Sequence, residues 1–402
     1  MKEVILKSGK EKSLLRRHPW VYDSAVASVT GEPESGETVA VRSKDGRFLA
    51  YGAYSPSSTL RVRCWTFDEN ETVDVDWLRR RIVAAVEARR PLRERATALR
   101  LIFGEADGLP GLIVDAYGDY LVTQFQSAGA ERFRADIARL LIEVTGAKGV
   151  FDRSDAATRR REGLPLRSEN LIGEEPPQVI EVLEDGVRYG VDVRIGHKTG
   201  FYVDQRESRL WTQRLAQDFL QKHGRGLRVL NCFCYTGGFS LAALKGGAAE
   251  VVSVDSSEEA LAMAKANIER NGFDADKAKF VCEDVFTYLR KLRDEGQTFD
   301  LVILDPPKFA SSHHHVQRAA RAYKDINLTG LKLFRSGGRL FTFSCSGAID
   351  VDLFQKIVAG AVIDAKVQAW AVGRFGAGAD HPLLMTYPEG EYLKGLDLEI
   401  RG

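Results

Sequence analysis

Residues 230–244 read LNCFCYTGGFSLAAL, and this stretch decides the fold. An apolar run from Leu230 to Cys234 ends in Tyr235-Thr236-Gly237-Gly238, and a segment of helical composition follows. The order is strand, glycine turn, helix. Glycine has no Cβ, so the backbone at such a turn can be approached closely by a ligand. A Gly-Gly pair serves equally well to shape a tight turn, so the flanking sequence must decide between the two.

Downstream the same order repeats. EVVSVDSS (250–257), KFVCEDVF (279–286), FDLVILDPP (299–307) and GRLFTFSCS (338–346) are short apolar runs ending in polar residues. Stretches such as SEEALAMAKANIERN (257–271) have helical character and separate them. Strands alternating with helices predict an α/β domain with a parallel, doubly wound, Rossmann-like sheet. Ligands of such sheets lie just beyond the carboxyl ends of the strands. Those positions hold Asn231 to Gly238, Asp255, Asp284, Asp305 and Cys345. Asp255 suits ribose hydroxyls, and Asp284 suits an adenine amino group. No phosphate-cradling GxGxxG is present, so the series fits S-adenosylmethionine better than a nicotinamide dinucleotide. The predicted cofactor contacts are Asn231, Phe233, Tyr235, Thr236, Gly237, Asp255, Ser256, Asp284, Val285 and Asp305.

Asp305-Pro306-Pro307-Lys308-Phe309 is the strongest short motif. Each proline fixes φ and removes an N–H donor, so the corner is rigid and its carbonyls stay free. That suits a flat base with donors and acceptors, with Phe309 placed to stack on it. Two chemistries use such a corner. One holds an exocyclic amine for methylation. The other methylates cytosine C5, a poor nucleophile until a thiolate adds to C6. The thiol belongs at the end of the next strand, where Cys345 stands in FTFSCSG (341–347). A thiolate needs local donors, and Ser344, Ser346 and backbone amides are the candidates. Cys64, Cys232, Cys234 and Cys282 read as structural thiols, without metal-site spacing.

Upstream of residue 180 the pattern differs. ETVAVRSKDGRFLAYGAYSP (37–56) and STLRVRCWTF (58–67) alternate like strands, with a hairpin turn at Lys44-Asp45-Gly46. DWLRRRIVAAVEARRPLRERA (76–96) predicts a helix burying Leu78, Ile82, Val83 and Val86. Further strands and the helix ERFRADIARLLIEVTG (131–146) follow, and RSENLIGEEPPQ (167–178) reads as a linker. The expected division is 1–72, a small β domain; 73–175, an α+β domain; and 176–402, the α/β domain. The N-terminus lacks the h-region of a signal peptide, and no run reaches a membrane span. Five cysteines without a framework spacing predict free thiols in a reducing cytoplasm.

HKTGFYVDQR, NCFCYTGGFS, VDSS, LDPPKF and SCSG together resemble the bacterial 23S rRNA cytosine-5 methyltransferase I family, over nearly the whole chain. The resemblance implies an N-terminal PUA domain, a central α+β domain and a C-terminal Rossmann-like class I methyltransferase domain. It implies 23S rRNA or a large-subunit precursor as partner, S-adenosylmethionine as donor, and a homodimer. It makes Cys345 the nucleophile and Asp305 the acid that contacts the base. Gln205 and Arg206 match a motif near the methionine end or the RNA, and Pro306, Pro307, Lys308 and Phe309 fall on the substrate side. Many RNA cytosine-5 methyltransferases carry a second cysteine where this chain has Pro307, so one thiol must both start and release the intermediate. The final base stays open.

Net charge is only +1, unusual for a strong nucleic-acid binder. Locally, residues 76–100 hold eight arginines against three acids, and Arg16-Arg17-His18 and Arg159-Arg160-Arg161 add basic clusters. Trp20 and Tyr22 either stack on bases or plug the small β core. His313-His314-His315 reads as a loop rather than a metal site, and His381 is a weak proton-transfer candidate. Two other readings stand beside the first: a methyltransferase acting on a nucleobase nitrogen, and a non-catalytic RNA-binding assembly factor.

Overall fold

A computed structural model describes residues 2–310 and 315–401. The chain forms two compact units. The first holds Met1–Val182, Val191–Val203 and Ala379–Gly390; the second holds Leu183–Gly190, Asp204–Gly378 and Glu391–Gly402. His313 and His314 lie outside the described residues.

The alternating segments of the second unit make one seven-stranded sheet. Its strands are β1 (Arg228–Cys232), β2 (Glu250–Asp255), β3 (Ala278–Cys282), β4 (Phe299–Leu304), β5 (Phe334–Ser344), β6 (Gln368–Gly376) and β7 (Lys394–Arg401). The spatial order is β3-β2-β1-β4-β5-β7-β6. β1 to β5 are parallel, and β7 runs antiparallel to both of its neighbours. Helices α1 (Arg206–His223), α2 (Gly238–Lys245), α3 (Glu258–Arg270), α4 (Val285–Asp294), α5 (Val316–Leu331) and α6 (Val351–Ala365) accompany the strands. Leu230, Val254, Val302, Leu304 and Leu340 are fully enclosed, as expected of parallel strands covered on both faces.

Strand order reverses between β1 and its neighbours β2 and β4. Such a switch point opens a crevice at the carboxyl ends. Register aligns those ends: Cys232 lies opposite Leu304 and Val254, and Leu304 opposite Thr342. Under α2, a buried ion pair ties α1 to the strand segment at Glu184. Arg209 donates through Nε and Nη2 to Glu184 at 2.6 and 2.8 Å.

In the first unit, six strands form a sheet in the spatial order 20–22, 60–66, 48–54, 38–42, 3–6 and 26–30. The hairpin at Lys44-Asp45-Gly46 is present, with Gly46 at φ +87°. A five-stranded sheet follows, with Glu169–Gly173 as one edge strand, antiparallel to Gly149–Asp152. The segment expected as a linker therefore contains a strand. An edge strand needs no apolar face, so its polar composition hid it.

The helix Val75–Ala88 is capped by Asp74, whose carboxylate accepts the Trp77 N–H at 2.8 Å. It buries Trp77, Leu78, Ile82, Ala85 and Val86, whereas Val83 is 40 % exposed. Val83 follows Ile82 by one residue, a turn of roughly 100° about the axis, which carries it off the buried stripe. Leu78→Ala is expected to cost about 2–5 kcal/mol. Val83→Ala should stay within about 0.5 kcal/mol. Denaturant titration followed by tryptophan fluorescence checks the difference.

Candidate active site

After β1 the chain leaves the sheet through an unusual backbone. Phe233 has φ +58° and Tyr235 φ +49°, both left-handed without being glycine, and Gly237 has φ +83°. Each non-glycine residue there costs about 1 kcal/mol, and such strain concentrates at ligand sites. Only glycine fits at 237. A Cβ would lie 3.0 Å from Leu241 Cδ1 and 3.1 Å from Ala264 Cβ, in a conformation L side chains avoid.

The turn is held by Asp255 at the end of β2. Its Oδ2 accepts the Tyr235 N–H at 2.8 Å and its Oδ1 the Ser257 N–H at 3.0 Å. A carboxylate has about four lone-pair sites, so further hydrogen bonds from a ligand remain open to it. Asn231 is fully buried; its Nδ2 donates to Ser240 Oγ at 2.8 Å, and Ser240 meets Ser253 at 2.7 Å. Its place is beneath the turn. Thr236 Oγ1 and Asn231 Oδ1 are buried without a partner. Asp284 is exposed and caps α4, accepting the Thr287 N–H at 2.9 Å and its hydroxyl at 3.0 Å through one oxygen. Ser256 is exposed, and Val285 belongs to the core. An orphaned hydroxyl at Thr236 and an acid at Asp255 with lone pairs to spare fit the adenosyl part of S-adenosylmethionine.

On the other side of the switch point stands the Asp-Pro-Pro corner. Pro306 is buried, Asp305 is half-buried, and Pro307 and Lys308 are exposed. The Phe309 ring packs 4.8 Å from that of Tyr323, 6.0 Å from Phe286 and 6.4 Å from Phe233. It thus joins an aromatic cluster as well as edging the corner. Cys345 is half-buried, with Sγ 4.0 Å from the Pro306 carbonyl oxygen. The structure therefore brings the thiol and the corner together.

The neighbouring serines act differently from expectation. Ser344 donates to the Tyr323 hydroxyl at 3.0 Å, and Ser346 meets the same hydroxyl at 3.0 Å. Ser346 Oγ also accepts the Ala310 N–H at 3.2 Å. Both hydroxyls brace the loops around the thiol. Tyr323 was not among the expected residues, although it lies on the buried stripe of α5 with Ala319, Ile326 and Gly330. Lys394, at the start of β7, was missed too. It is 5 % exposed, and Nζ donates to the carbonyls of Ser346 at 2.9 Å and Ile349 at 2.6 Å.

Gln205 and Arg206 begin α1 and differ sharply. Gln205 is 2 % exposed, and neither end of its carboxamide has a partner. Arg206 is fully enclosed and pairs with Glu184 at 3.4 Å. An arginine so enclosed braces the helix start through its pair with Glu184. In the first unit, Arg89, Arg100 and Arg159 are likewise buried, paired with Asp107, Asp115 and Glu131. Arg16, Arg17, Arg80, Arg90, Arg93, Arg160, Arg161 and Tyr22 are exposed. Trp20 plugs the fold, donating from Nε1 to Glu105 at 2.8 Å and packing 4.8 Å from Tyr387. His381 is buried against Phe103 and Asp380 in the first unit.

A sheet of this order, with a glycine turn after its first strand and an acid after its second, defines a class I S-adenosylmethionine-dependent methyltransferase. The profile of that family matches residues 116–365, and that of PUA-like domains matches residues 4–67. The ribosomal RNA large subunit methyltransferase I of Klebsiella pneumoniae (strain 342) is 49% identical over 399 residues, 99% of this chain and 98% of the relative. That of Escherichia coli O127:H6 is 47% identical, covering 99% of both chains. The chain belongs to the ribosomal RNA large subunit methyltransferase I family and uses S-adenosylmethionine. Among solved structures, SMU.776, a candidate methyltransferase complexed with SAH, superposes with TM-score 0.85 at 23% identity, covering 99% of this chain and 100% of its own. A candidate methyltransferase from Streptococcus mutans gives 0.84 at 23% identity over the same shares, a likeness of fold.

The five thiols separate by environment. Burial pushes the Cys64 thiol up to about 12, and it raises Cys232 and Cys234 as well, with Asp255 adding to the effect at Cys234. Only the thiolate alkylates. Iodoacetamide at mildly alkaline pH should therefore label Cys282 and Cys345 in the native protein and leave the other three unlabelled until denaturation. Peptide mass spectrometry reads the result.

Proposed function

We propose that this protein methylates C5 of a cytosine in large-subunit ribosomal RNA, with Cys345 bonding covalently to C6 of the base. The observation that carries the reading is the half-buried Cys345 at the end of β5, 4.0 Å from the Pro306 carbonyl of the Asp-Pro-Pro corner. The family relatives' names support ribosomal RNA of the large subunit as the substrate class.

In this reading the Cys345 thiolate adds to C6, and the electron pair moves through N3 to make C5 enamine-like. Asp305, at the corner, acts in its protonated form: it donates its proton to N3 as negative charge arrives there, and recovers it when the ring is restored. Bound S-adenosylmethionine supplies an electrophilic methyl group. Removal of the C5 proton then expels the thiolate and restores the ring. Pro306 and Pro307 hold the base plane, Lys308 is available to the backbone phosphate, and Phe309 edges the base while anchored by its aromatic neighbours. The Phe233–Gly237 turn, Asp255, Ser256, Asp284 and the start of α4 at Val285 receive the cofactor, with Asn231 supporting the turn from below. Gln205 is assigned to the cofactor or substrate, and its lack of a protein partner supports that role. Arg206 braces α1. The division at residues 72 and 175 belongs to the same reading, with the exposed arginines of the first unit as the RNA surface.

Cys345→Ala should abolish methyl transfer to ribosomal RNA while leaving SAH affinity within about twofold. Retained turnover would remove the covalent mechanism. Digesting labelled RNA and identifying the methylated nucleoside by mass spectrometry should give 5-methylcytidine. A methyl group on a base nitrogen would favour the amine chemistry, and no incorporation would favour the assembly factor.

Gln205→Ala gives an independent check. An unsatisfied buried polar group costs about 1–3 kcal/mol. The substitution is therefore expected to leave the free protein equally or more stable, yet weaken SAH or RNA binding about tenfold. Calorimetric titration paired with a thermal melt reads both effects.

A further inference from the structure

Lys394 is a buried cation with no role in the proposed chemistry. Its backbone lies directly opposite Ser344 in the β5–β7 ladder, so it is the cross-strand neighbour of the residue before Cys345. Two of its three ammonium protons are taken by the carbonyls of Ser346 and Ile349, which follow Cys345 in the turn. A lysine is an expensive means of satisfying two carbonyls. Its charge must be desolvated, and water or an amide side chain would serve the same bonds.

The ionisable groups whose charges act on Lys394 include Cys345, Glu391, Asp350 and Lys308. Burial lowers its pKa most strongly; Cys345, Glu391 and Asp350 oppose that shift, and Lys308 adds to it. Cys345 is thus the partner whose ionisation most favours the charged lysine. The relation is reciprocal, since a cation stabilised by a thiolate stabilises that thiolate equally. The Pro306 carbonyl oxygen, 4.0 Å from the sulfur, is an acceptor and favours S–H. With Ser344 and Ser346 engaged by Tyr323, Lys394 is the cation built into the wall of this turn.

We propose that Lys394 is the positioning residue of the nucleophile: it holds the turn that carries Cys345 and supplies the positive charge that favours the thiolate. This rests on the reading of Cys345 as the nucleophile and deepens it.

The test is the pH dependence of Cys345 alkylation by iodoacetamide in the full-length protein, resolved by peptide so that Cys282 does not interfere. In the unsubstituted protein the midpoint should fall below that of a denatured control; a midpoint at or above the control overturns the proposal. Lys394→Gln keeps hydrogen-bond donors and loses the charge. It should slow Cys345 labelling near neutral pH about tenfold, as expected when the thiolate fraction falls, with the rate recovering at high pH. Lys394→Arg keeps the charge and should stay within about twofold. SAH binding serves as the folding control, and Lys394→Met replaces the glutamine variant if that variant loses it. Equal slowing of the Gln and Arg variants at every pH, or an unchanged midpoint in Gln, would reduce Lys394 to a brace. Methylation by Cys345→Ala bears on the nucleophile alone, so the two failures are told apart.

Discussion

A parallel sheet covered on both faces can place polar chemistry only at its ends. Everything at this site follows from that constraint. Leu230, Val254, Val302, Leu304 and Leu340 are enclosed on both sides, so a charge among them would be stranded away from water. Register brings the end of β1 at Cys232, the end of β4 at Leu304 and Thr342 of β5 into line, and β5 runs two residues further to Ser344. Beyond the strand ends stand Tyr235-Thr236-Gly237, Asp305 and Cys345. The polar residues inside the strands, such as Asn231, Ser253 and Ser344, are neutral and hydrogen-bonded, whereas the acid and the half-buried thiol sit at the edge.

The same constraint separates five chemically identical thiols. Cys232 ends β1 inside the core, where desolvation holds its proton in place. Cys345 lies one residue beyond β5, at a half-buried position beside a proline carbonyl, in a turn whose Ser346 carbonyl is bonded by Lys394. A position just inside or just beyond a strand end therefore separates a fully enclosed thiol from a half-buried one. The surrounding loops are braced to keep that position: Tyr323 ties Ser344 to Ser346, and Ser346 ties back to Ala310 behind the Asp-Pro-Pro corner.

Charge shows where reading the chain in one dimension fails. Arg89, Arg100, Arg159 and Arg206 look like part of a basic surface, and each is buried against an acid far away in sequence. Arginine's planar fork suits such internal pairing, and nothing local distinguishes a bracing arginine from a solvated one. The acids behave likewise. Asp284 caps α4 with one carboxylate oxygen and keeps the other. Asp255 holds two backbone amides at the cofactor turn. A carboxylate that caps a helix or holds a turn keeps lone pairs enough to accept further hydrogen bonds.

The sequence by itself determined the strand–helix alternation, the glycine turn at 237, the Asp-Pro-Pro corner and the thiol after the last parallel strand. Those signals are local: apolar periodicity, φ requirements and short motifs act within a few residues. Only the tertiary structure decided which residues support the thiol. Lys394 reaches the turn through the β5–β7 ladder, opposite Ser344, and bonds the Ser346 carbonyl, while Tyr323 reaches Ser344 and Ser346 through the packing of a helix. The edge strand Glu169–Gly173 also needed its partner to be recognised. Partners distant along the chain are chosen by topology and desolvation, which leave no pattern at any single position.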